Sequence, residues 1–365
     1  MANIMDYLDW RGDISLSMDS FNLIDNLILS EMSYVVMEGL VQGDFDGKKV
    51  SIQNVSNRYF ENVNFDFLNI TARRSSRSPL LLKKAAESKR FKDVKLMDFV
   101  NEVDPDSVSQ FAAVTFVLPD NTCFVSFRGT DHTAIGWQED FNMSYMDETE
   151  GQRKAVRYLN FVLSKHDAVR VGGHSKGGNF SVYAAAFCDD CLKDRILEVF
   201  SNDGPGFRES VLADPRYCRI LPKVTSIIPK DSVVGKLLES ANEDIIVDSN
   251  AIGLEQHDIF SWQVIGNDLV RLDSMGSWAE KFNSIFSEWI SNISDEDREE
   301  YVNVVFSGIY DALQKKENAS FDLKEIFKYI EKHVKDLPKE KQGAFKNLMN
   351  KLTLAYGIKF IKNFI

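Results

Sequence analysis

The sequence lacks the features of an exported, membrane-spanning or nucleic-acid-binding protein. It contains no run of about 18 consecutive apolar residues, so we expect no transmembrane helix. Its beginning has no uninterrupted apolar stretch of the kind that a secretory signal needs, because charged residues recur there. These residues are Asp6, Asp9, Arg11, Asp13 and Asp19. Without an export segment, the sequence predicts a cytoplasmic location.

Basic residues are also scarce relative to acidic ones. There are 43 Lys and Arg against 55 Asp and Glu, which gives a net charge of -12. A negative surface repels phosphate backbones, so nucleic acid is not an expected partner. Cysteines number only four, and the single CxxC pair, Cys188 with Cys191, is too little for a zinc site. We therefore expect neither a metal nor another cofactor.

The hydrophobic pattern predicts an α/β fold. Short apolar runs, which read as strands, alternate with amphipathic helical segments over the middle of the chain. The predicted strands are 111–118, 122–127, 169–173, 197–201, 224–228 and 244–247, and the predicted helices are 148–165 and 177–188. Such alternation favours a mainly parallel sheet that is covered on both faces. We assign residues 1–275 to this domain, with a helical lead-in to about residue 105, and residues 276–365 to a helical appendage.

A candidate nucleophile lies where a predicted strand passes into a predicted helix. Residues 173–177 read Gly-His-Ser-Lys-Gly and fit the G-x-S-x-G pattern, with Ser175 at its centre. In α/β-hydrolases this tight turn exposes the serine hydroxyl at the top of the sheet, and its glycines let backbones pass closely. The motif alone is weak, but the strand before it and the helix after it are the context that it requires. We therefore take Ser175 as the nucleophile.

Histidines are few, which narrows the choice of a general base. α/β-hydrolases place the acid and then the histidine after the serine in the chain. Only His257 and His333 follow Ser175. His333 lies in a charged helical segment of the appendage and is most simply a surface residue. His257 lies in a loop just after a predicted strand, so we predict that it is the base.

The acid and the oxyanion donors are assigned by their place at strand ends. Asp231 follows the second strand after the nucleophile strand and is our first choice for the acid, with Asp203 as the alternative. An ordinary helix N-cap remains the competing interpretation of Asp231. For the oxyanion hole, we expect the backbone N–H of Lys176 and the backbone N–H and hydroxyl of Thr130.

The spaced motifs resemble the class 3 lipases over residues 110 to 265. The resemblance rests on residues 125–130 (Val-Ser-Phe-Arg-Gly-Thr), on Gly136, Trp137 and Asp140, and on residues 173–178 (Gly-His-Ser-Lys-Gly-Gly). It implies an α/β-hydrolase fold, oxyanion donors at Thr130 and Lys176, an acid at Asp231 and a base at His257. The opening of the chain is similar to a poorly characterised intracellular lipase-like group. Lys176 departs from the leucine that is usual in lipases, and we expect it to add a charge beside the oxyanion hole.

Two functions of different classes follow from these residues. The first is hydrolysis of an acyl ester or lipid through an acyl-enzyme on Ser175. The second is a non-catalytic α/β-hydrolase scaffold that binds a protein or lipid partner, with the appendage as a protein contact, since a fold does not guarantee activity. The presence of serine, acid and histidine in hydrolase order favours the enzyme. The acyl length, the headgroup and the oligomeric state do not follow from the sequence.

Overall fold

A computed structural model describes residues 2–43, 45–61, 74–131, 133–277, 279–280, 283–284, 287, 292–314 and 323–347. The end of the predicted appendage, residues 348–365, lies outside these ranges. Within them the chain is a mixed α/β structure around one large, mostly parallel sheet.

In the described ranges the central sheet has nine strands in the order β1-β2-β3-β4-β5-β6-β7-β8-β11. They are β1 (Val50–Ser51), β2 (Lys95–Asp104), β3 (Ser109–Val117), β4 (Cys123–Phe127), β5 (Val169–His174), β6 (Ile196–Asn202), β7 (Val224–Pro229), β8 (Asp244–Val247) and β11 (Arg271–Leu272). Strands β4 to β8 are parallel neighbours, whereas β3 and β4 form the predicted antiparallel hairpin. A separate two-stranded pair joins β9 (Val264–Ile265) to β10 (Asp268–Leu269).

Helices cover both faces of the sheet. Those described are α1 (Ile4–Arg11), α2 (Leu23–Met32), α3 (Ile52–Phe60), α4 (Arg74–Glu87), α5 (Ala134–Asn142), α6 (Glu150–Lys165), α7 (Lys176–Phe187), α8 (Glu209–Leu212), α9 (Pro215–Ile220), α10 (Asp295–Gln314) and α11 (Leu323–Val334). The N-terminal helices pack on one face and α6, α7 and α9 on the other. Both faces of β4 are thus buried, with Phe124 in one core and Val125 in the other. Burial on both sides explains the unbroken apolar runs of the central strands.

A buried ion pair holds the N-terminal helices together. Asn22 caps α2 and exchanges hydrogen bonds with Asp25 in a capping box. Arg90, just after α4, is fully buried and donates to Asp25 and to the carbonyls of Asp19 and Ser20. Burial raises the pKa of Asp25, and the contact with Arg90 opposes that effect. The arginine therefore joins the start of the chain to the helix that precedes β2.

The helices α10 and α11 form a small apolar cluster of their own that packs on α5. The rings of Phe306 and Phe141 lie 5.8 Å apart, and Tyr310 donates to Gln138 at 2.6 Å. An ion pair between Arg208 and Asp295 adds a second contact with the α/β part. Among the helices in the described ranges, none is both long and apolar enough to cross a bilayer.

We expect Arg90→Met to lower the free energy of unfolding by about 3 to 5 kcal/mol, because it leaves the buried Asp25 carboxylate unpaired. Arg157, which pairs with Glu150 at an exposed site, provides the control. Arg157→Met should cost less than about 1 kcal/mol. Urea denaturation followed by circular dichroism measures both, and equal losses in the two variants would contradict the role of the buried pair.

Candidate active site

Ser175 lies at the tight turn that joins β5 to α7. Its backbone has φ of 59° and ψ of -133°, a conformation that non-glycine residues adopt rarely and at a cost of about 1 to 3 kcal/mol. The Ser175 N–H donates to the carbonyl of Asn202, at the end of β6, at 3.0 Å. The side chain makes no capping hydrogen bond to α7. The turn therefore presents a half-buried hydroxyl that the helix does not use.

Glycines at positions 173 and 177 are required by close backbone packing around this turn. A Cβ on Gly173 would lie 2.4 Å from the carbonyl group of Gly177. A Cβ on Gly177 would lie 2.0 Å from the carbonyl oxygen of Phe127, at the end of β4. Any side chain at either position would push α7 away from the sheet. The predicted strand–turn–helix context of the motif is confirmed.

His257 ends a short 3-10 turn, Gly253–His257, and its ring contacts a buried carboxylate. The Nδ1 atom of His257 lies 2.6 Å from Oδ2 of Asp203, which is fully buried. The other oxygen of Asp203 accepts from the Ser232 hydroxyl and from the Gly235 N–H. Asp203 follows β6 directly, with φ of 51°. When Nδ1 donates its proton to Asp203, the lone pair of the neutral ring is on Nε2.

Asp231 does not contact the imidazole as expected from the sequence. Its carboxylate accepts from the Gln256 side chain at 2.8 Å, and its backbone N–H donates to the same amide at 3.2 Å. The carboxylate paired with His257 is instead Asp203, the alternative acid. Asp203 is the nearer of the two because β6 adjoins the nucleophile strand, whereas β7 lies one strand further away. Asp231 supports the residue that precedes His257.

His174 links the nucleophile turn to the loop of His257. Its Nε2 lies 2.7 Å from the carbonyl oxygen of His257, and its Nδ1 lies 2.9 Å from the hydroxyl of Tyr34. The two imidazole rings are 4.4 Å apart. Because a carbonyl only accepts, Nε2 of His174 carries the proton and Nδ1 accepts from Tyr34. Hydrogen bonds of residues adjacent in the chain therefore connect the nucleophile turn to both other groups. Asn202 precedes Asp203 and accepts from the Ser175 N–H, and His174 precedes Ser175 and donates to the His257 carbonyl.

The two expected oxyanion donors follow adjacent parallel strands. Thr130 comes just after β4, and a Cβ on the preceding Gly129 would lie 2.9 Å from Cβ of Ser175. Within the described ranges, neither the N–H of Thr130 nor that of Lys176 has a hydrogen-bond partner. Lys176 is also the first residue of α7, where backbone N–H groups point outwards and favour negative charge. Both groups are therefore available to an anion.

The side chains of Thr130 and Lys176 are engaged with other residues of the protein. The Thr130 hydroxyl donates to Oδ2 of Asp140 at 2.5 Å, so it is engaged in the interior. The ammonium of Lys176 is fully buried and lies 2.9 Å from Oε2 of Glu139. The charge that Lys176 was expected to add is therefore buried and paired with Glu139 of α5, and it is not exposed to a substrate.

The remaining histidine after the serine lies elsewhere. His333, on α11, pairs with Asp311 of α10 at 3.0 Å, within the appendage. No group of three His, Cys, Asp or Glu side chains in the described part of the chain has the arrangement of a metal site.

Comparisons with known proteins give one family match. A family model described as Mbeg1-like matches residues 85–307. A solved structure titled "Crystal structure of M37 lipase" is 15% identical, with a TM-score of 0.35, and the match covers 58% of this chain and 68% of that chain. No curated protein matches the chain. The family match includes Thr130, Ser175, Asp203 and His257 and ends before His333.

We expect Asp140→Asn to stabilise the protein increasingly as the pH rises from about 5 to about 7. Burial raises the pKa of Asp140 to about 7, although Lys176 and Thr130 lower it, and its Oδ1 is buried without a partner among the described residues. The unfolded chain releases this proton near pH 4, so the folded state loses stability between pH 4 and 7 and little more above. Asparagine keeps an acceptor for Thr130 and does not titrate.

Thermal unfolding of Asp140→Asn and wild type across this pH range measures the difference in stability. If the stability difference between Asp140→Asn and wild type stays constant or shrinks towards pH 7, ionisation of the Asp140 carboxyl does not destabilise the folded protein, which would contradict the prediction.

Proposed function

We propose that this chain, which belongs to the Mbeg1-like family of lipase-like class 3 proteins, is a serine hydrolase that cleaves acyl esters. The observation that carries the proposal is the 2.6 Å hydrogen bond between His257 and the buried Asp203, beside a serine at a strained strand-to-helix turn. A binding scaffold has no need of this pairing, whereas a nucleophilic serine requires a base that is itself oriented by a third group.

In the proposed reaction, the Ser175 hydroxyl attacks the ester carbonyl. Nε2 of His257 takes the hydroxyl proton and then gives it to the departing alcohol, which leaves an acyl group on Ser175. A water molecule then attacks the acyl carbonyl while His257 takes its proton. The bond between the acyl group and Ser175 breaks, His257 returns the proton to the serine oxygen, and the acid is released. Asp203 fixes the tautomer of the ring through Nδ1 and stabilises the imidazolium that forms in each step.

The negative charge of the tetrahedral intermediate would be met by backbone donors. The free N–H groups of Thr130 and Lys176 are the candidates, since neither has another partner within the described residues. The Thr130 hydroxyl donates to Asp140, so we assign the oxyanion contact to its backbone N–H alone. The N-terminus of α7 adds partial positive charge at the same place.

We also propose that the mixed α/β structure is an α/β-hydrolase fold. Five parallel strands, with the nucleophile after the second of them and the acid after the third, support an α/β-hydrolase fold. We propose an acyl ester or lipid as substrate and a cytoplasmic location, as the sequence predicts. The scaffold alternative remains the outcome if a well-folded protein has no activity.

We expect wild-type protein to hydrolyse p-nitrophenyl esters and Ser175→Ala to lose on the order of 10⁴-fold or more in kcat. His257→Ala should lose a similar factor, since without a base the serine is a poor nucleophile. His333→Ala is the matched control and should retain wild-type kcat, because His333 pairs with Asp311 in the appendage. Esters of increasing acyl length then define the substrate preference. Equal turnover in the two histidine variants would remove His257 from the reaction.

A second comparison tests the choice of acid. We expect Asp203→Asn to lower kcat by on the order of 10⁴-fold, because an amide can hold the wrong tautomer of His257. Asp231→Asn keeps an oxygen that can accept from Gln256, so the loop of His257 should move little. We expect this variant to lower kcat by about tenfold at most. The reverse ranking would return the role of the acid to Asp231.

A further inference from the structure

Lys176, the residue after the nucleophile, forms a buried ion pair with Glu139 that connects α7 to α5, and we call this pair the tether. Lys176 Nζ donates to Oε2 of Glu139 at 2.9 Å and to the carbonyl of Gln110 at 3.1 Å. Neither the lysine nor the glutamate side chain has any solvent exposure. The ammonium therefore cannot reach a substrate, and its role has to be exerted through the protein.

Glu139 connects that ammonium to three other elements. It lies on α5, its Oε2 also accepts from the Gln110 N–H of β3 at 2.9 Å, and its Oε1 accepts from the Gly151 N–H of α6 at 2.8 Å. The position of α5 is thus fixed by hydrogen bonds to β3, α6 and α7. Both oxygens of Glu139 have partners, so the carboxylate is held from several sides. Such a buried charge pair contributes less to net stability than its Coulomb energy suggests.

The same helix turn determines where Thr130 lies. Asp140, next to Glu139, accepts the Thr130 hydroxyl at 2.5 Å. Space around this contact is small, since a Cβ on Gly136 would lie 3.0 Å from Oε1 of Gln110 and 3.1 Å from Cγ2 of Thr130. A shift of α5 would therefore move Thr130. At one end of the tether, Lys176 carries one of the two backbone N–H groups. At the other end, Glu139 is followed by Asp140, which holds Thr130 and therefore the second N–H group.

We infer that the buried Lys176–Glu139 pair is a positioning device that keeps the two oxyanion donors at a fixed separation. This inference rests on the proposed function. Lys176 thus contributes twice, with its backbone N–H to the intermediate and with its side chain to the position of the second donor. Hydrogen-bond donors stabilise an oxyanion only when their geometry is set in advance, so a displacement of about 1 Å lowers kcat by about 10²-fold.

The decisive variant is Lys176→Met combined with Glu139→Gln. It removes both buried charges and keeps one amide oxygen, which can accept from the N–H of Gln110 or from that of Gly151 but not from both. Because no buried charge is left unpaired, its stability should exceed that of Lys176→Met alone. We expect its kcat to fall by about 10²-fold and its KM to stay within about twofold of wild type, since the substrate itself carries no oxyanion. Binding of a trifluoromethyl ketone, whose serine adduct carries the oxyanion, should weaken by the same factor as kcat.

Lys193→Met is the matched control. Lys193 is also a buried lysine, paired with Asp190, and it lies at the opposite end of β6 from Asp203. It should lose stability with unchanged kcat. If the double variant does not fold, Glu139→Gln alone decides, with an expected fall in kcat of about tenfold at constant KM. A wild-type kcat in the folded double variant, or in Glu139→Gln, overturns this inference and leaves the proposed function intact. A wild-type protein without ester turnover overturns the proposed function and this inference together.

Discussion

The hydrogen bond between the buried Asp203 carboxylate and the imidazole of His257 is the interaction on which the candidate site depends. A carboxylate with no solvent exposure is costly unless all its oxygens have partners. Ser232 and Gly235 supply partners to one oxygen, and His257 is the partner of the other. The loop of His257 is therefore held to the sheet because the buried Asp203 carboxylate needs the imidazole as a hydrogen-bond partner. The same bond directs the free nitrogen of the ring away from Asp203.

Backbone conformation places the other groups around this bond. Both Ser175 and Asp203 have positive φ, at the carboxyl ends of neighbouring strands. Such conformations persist only where the surrounding structure enforces them, and they concentrate at functional sites. Here the hydrogen bond from Ser175 N–H to the Asn202 carbonyl connects the two turns. The carboxyl edge of a parallel sheet is also where ligands bind in open α/β folds.

Local patterns in the sequence predicted the hairpin, the parallel strands and the nucleophile turn, because each depends on residues close together in the chain. The scarcity of histidine selected His257. The choice between Asp203 and Asp231 could not be made in this way, because it depends on which strand adjoins β5. Strand β2 was missed because a bulge between Met97 and Val100 and an exposed second half break its alternation. The buried direction of Lys176 depends on Glu139, which lies 37 residues earlier.

The most direct test of the account is the site at which a fluorophosphonate probe becomes attached, read by mass spectrometry of the digested protein. Such probes react with a serine hydroxyl that an adjacent base activates. The account predicts one adduct, on Ser175, that forms in wild-type protein and is largely lost when Asp203 is replaced by asparagine. A folded protein that acquires no adduct, or acquires it on another serine, would contradict the account.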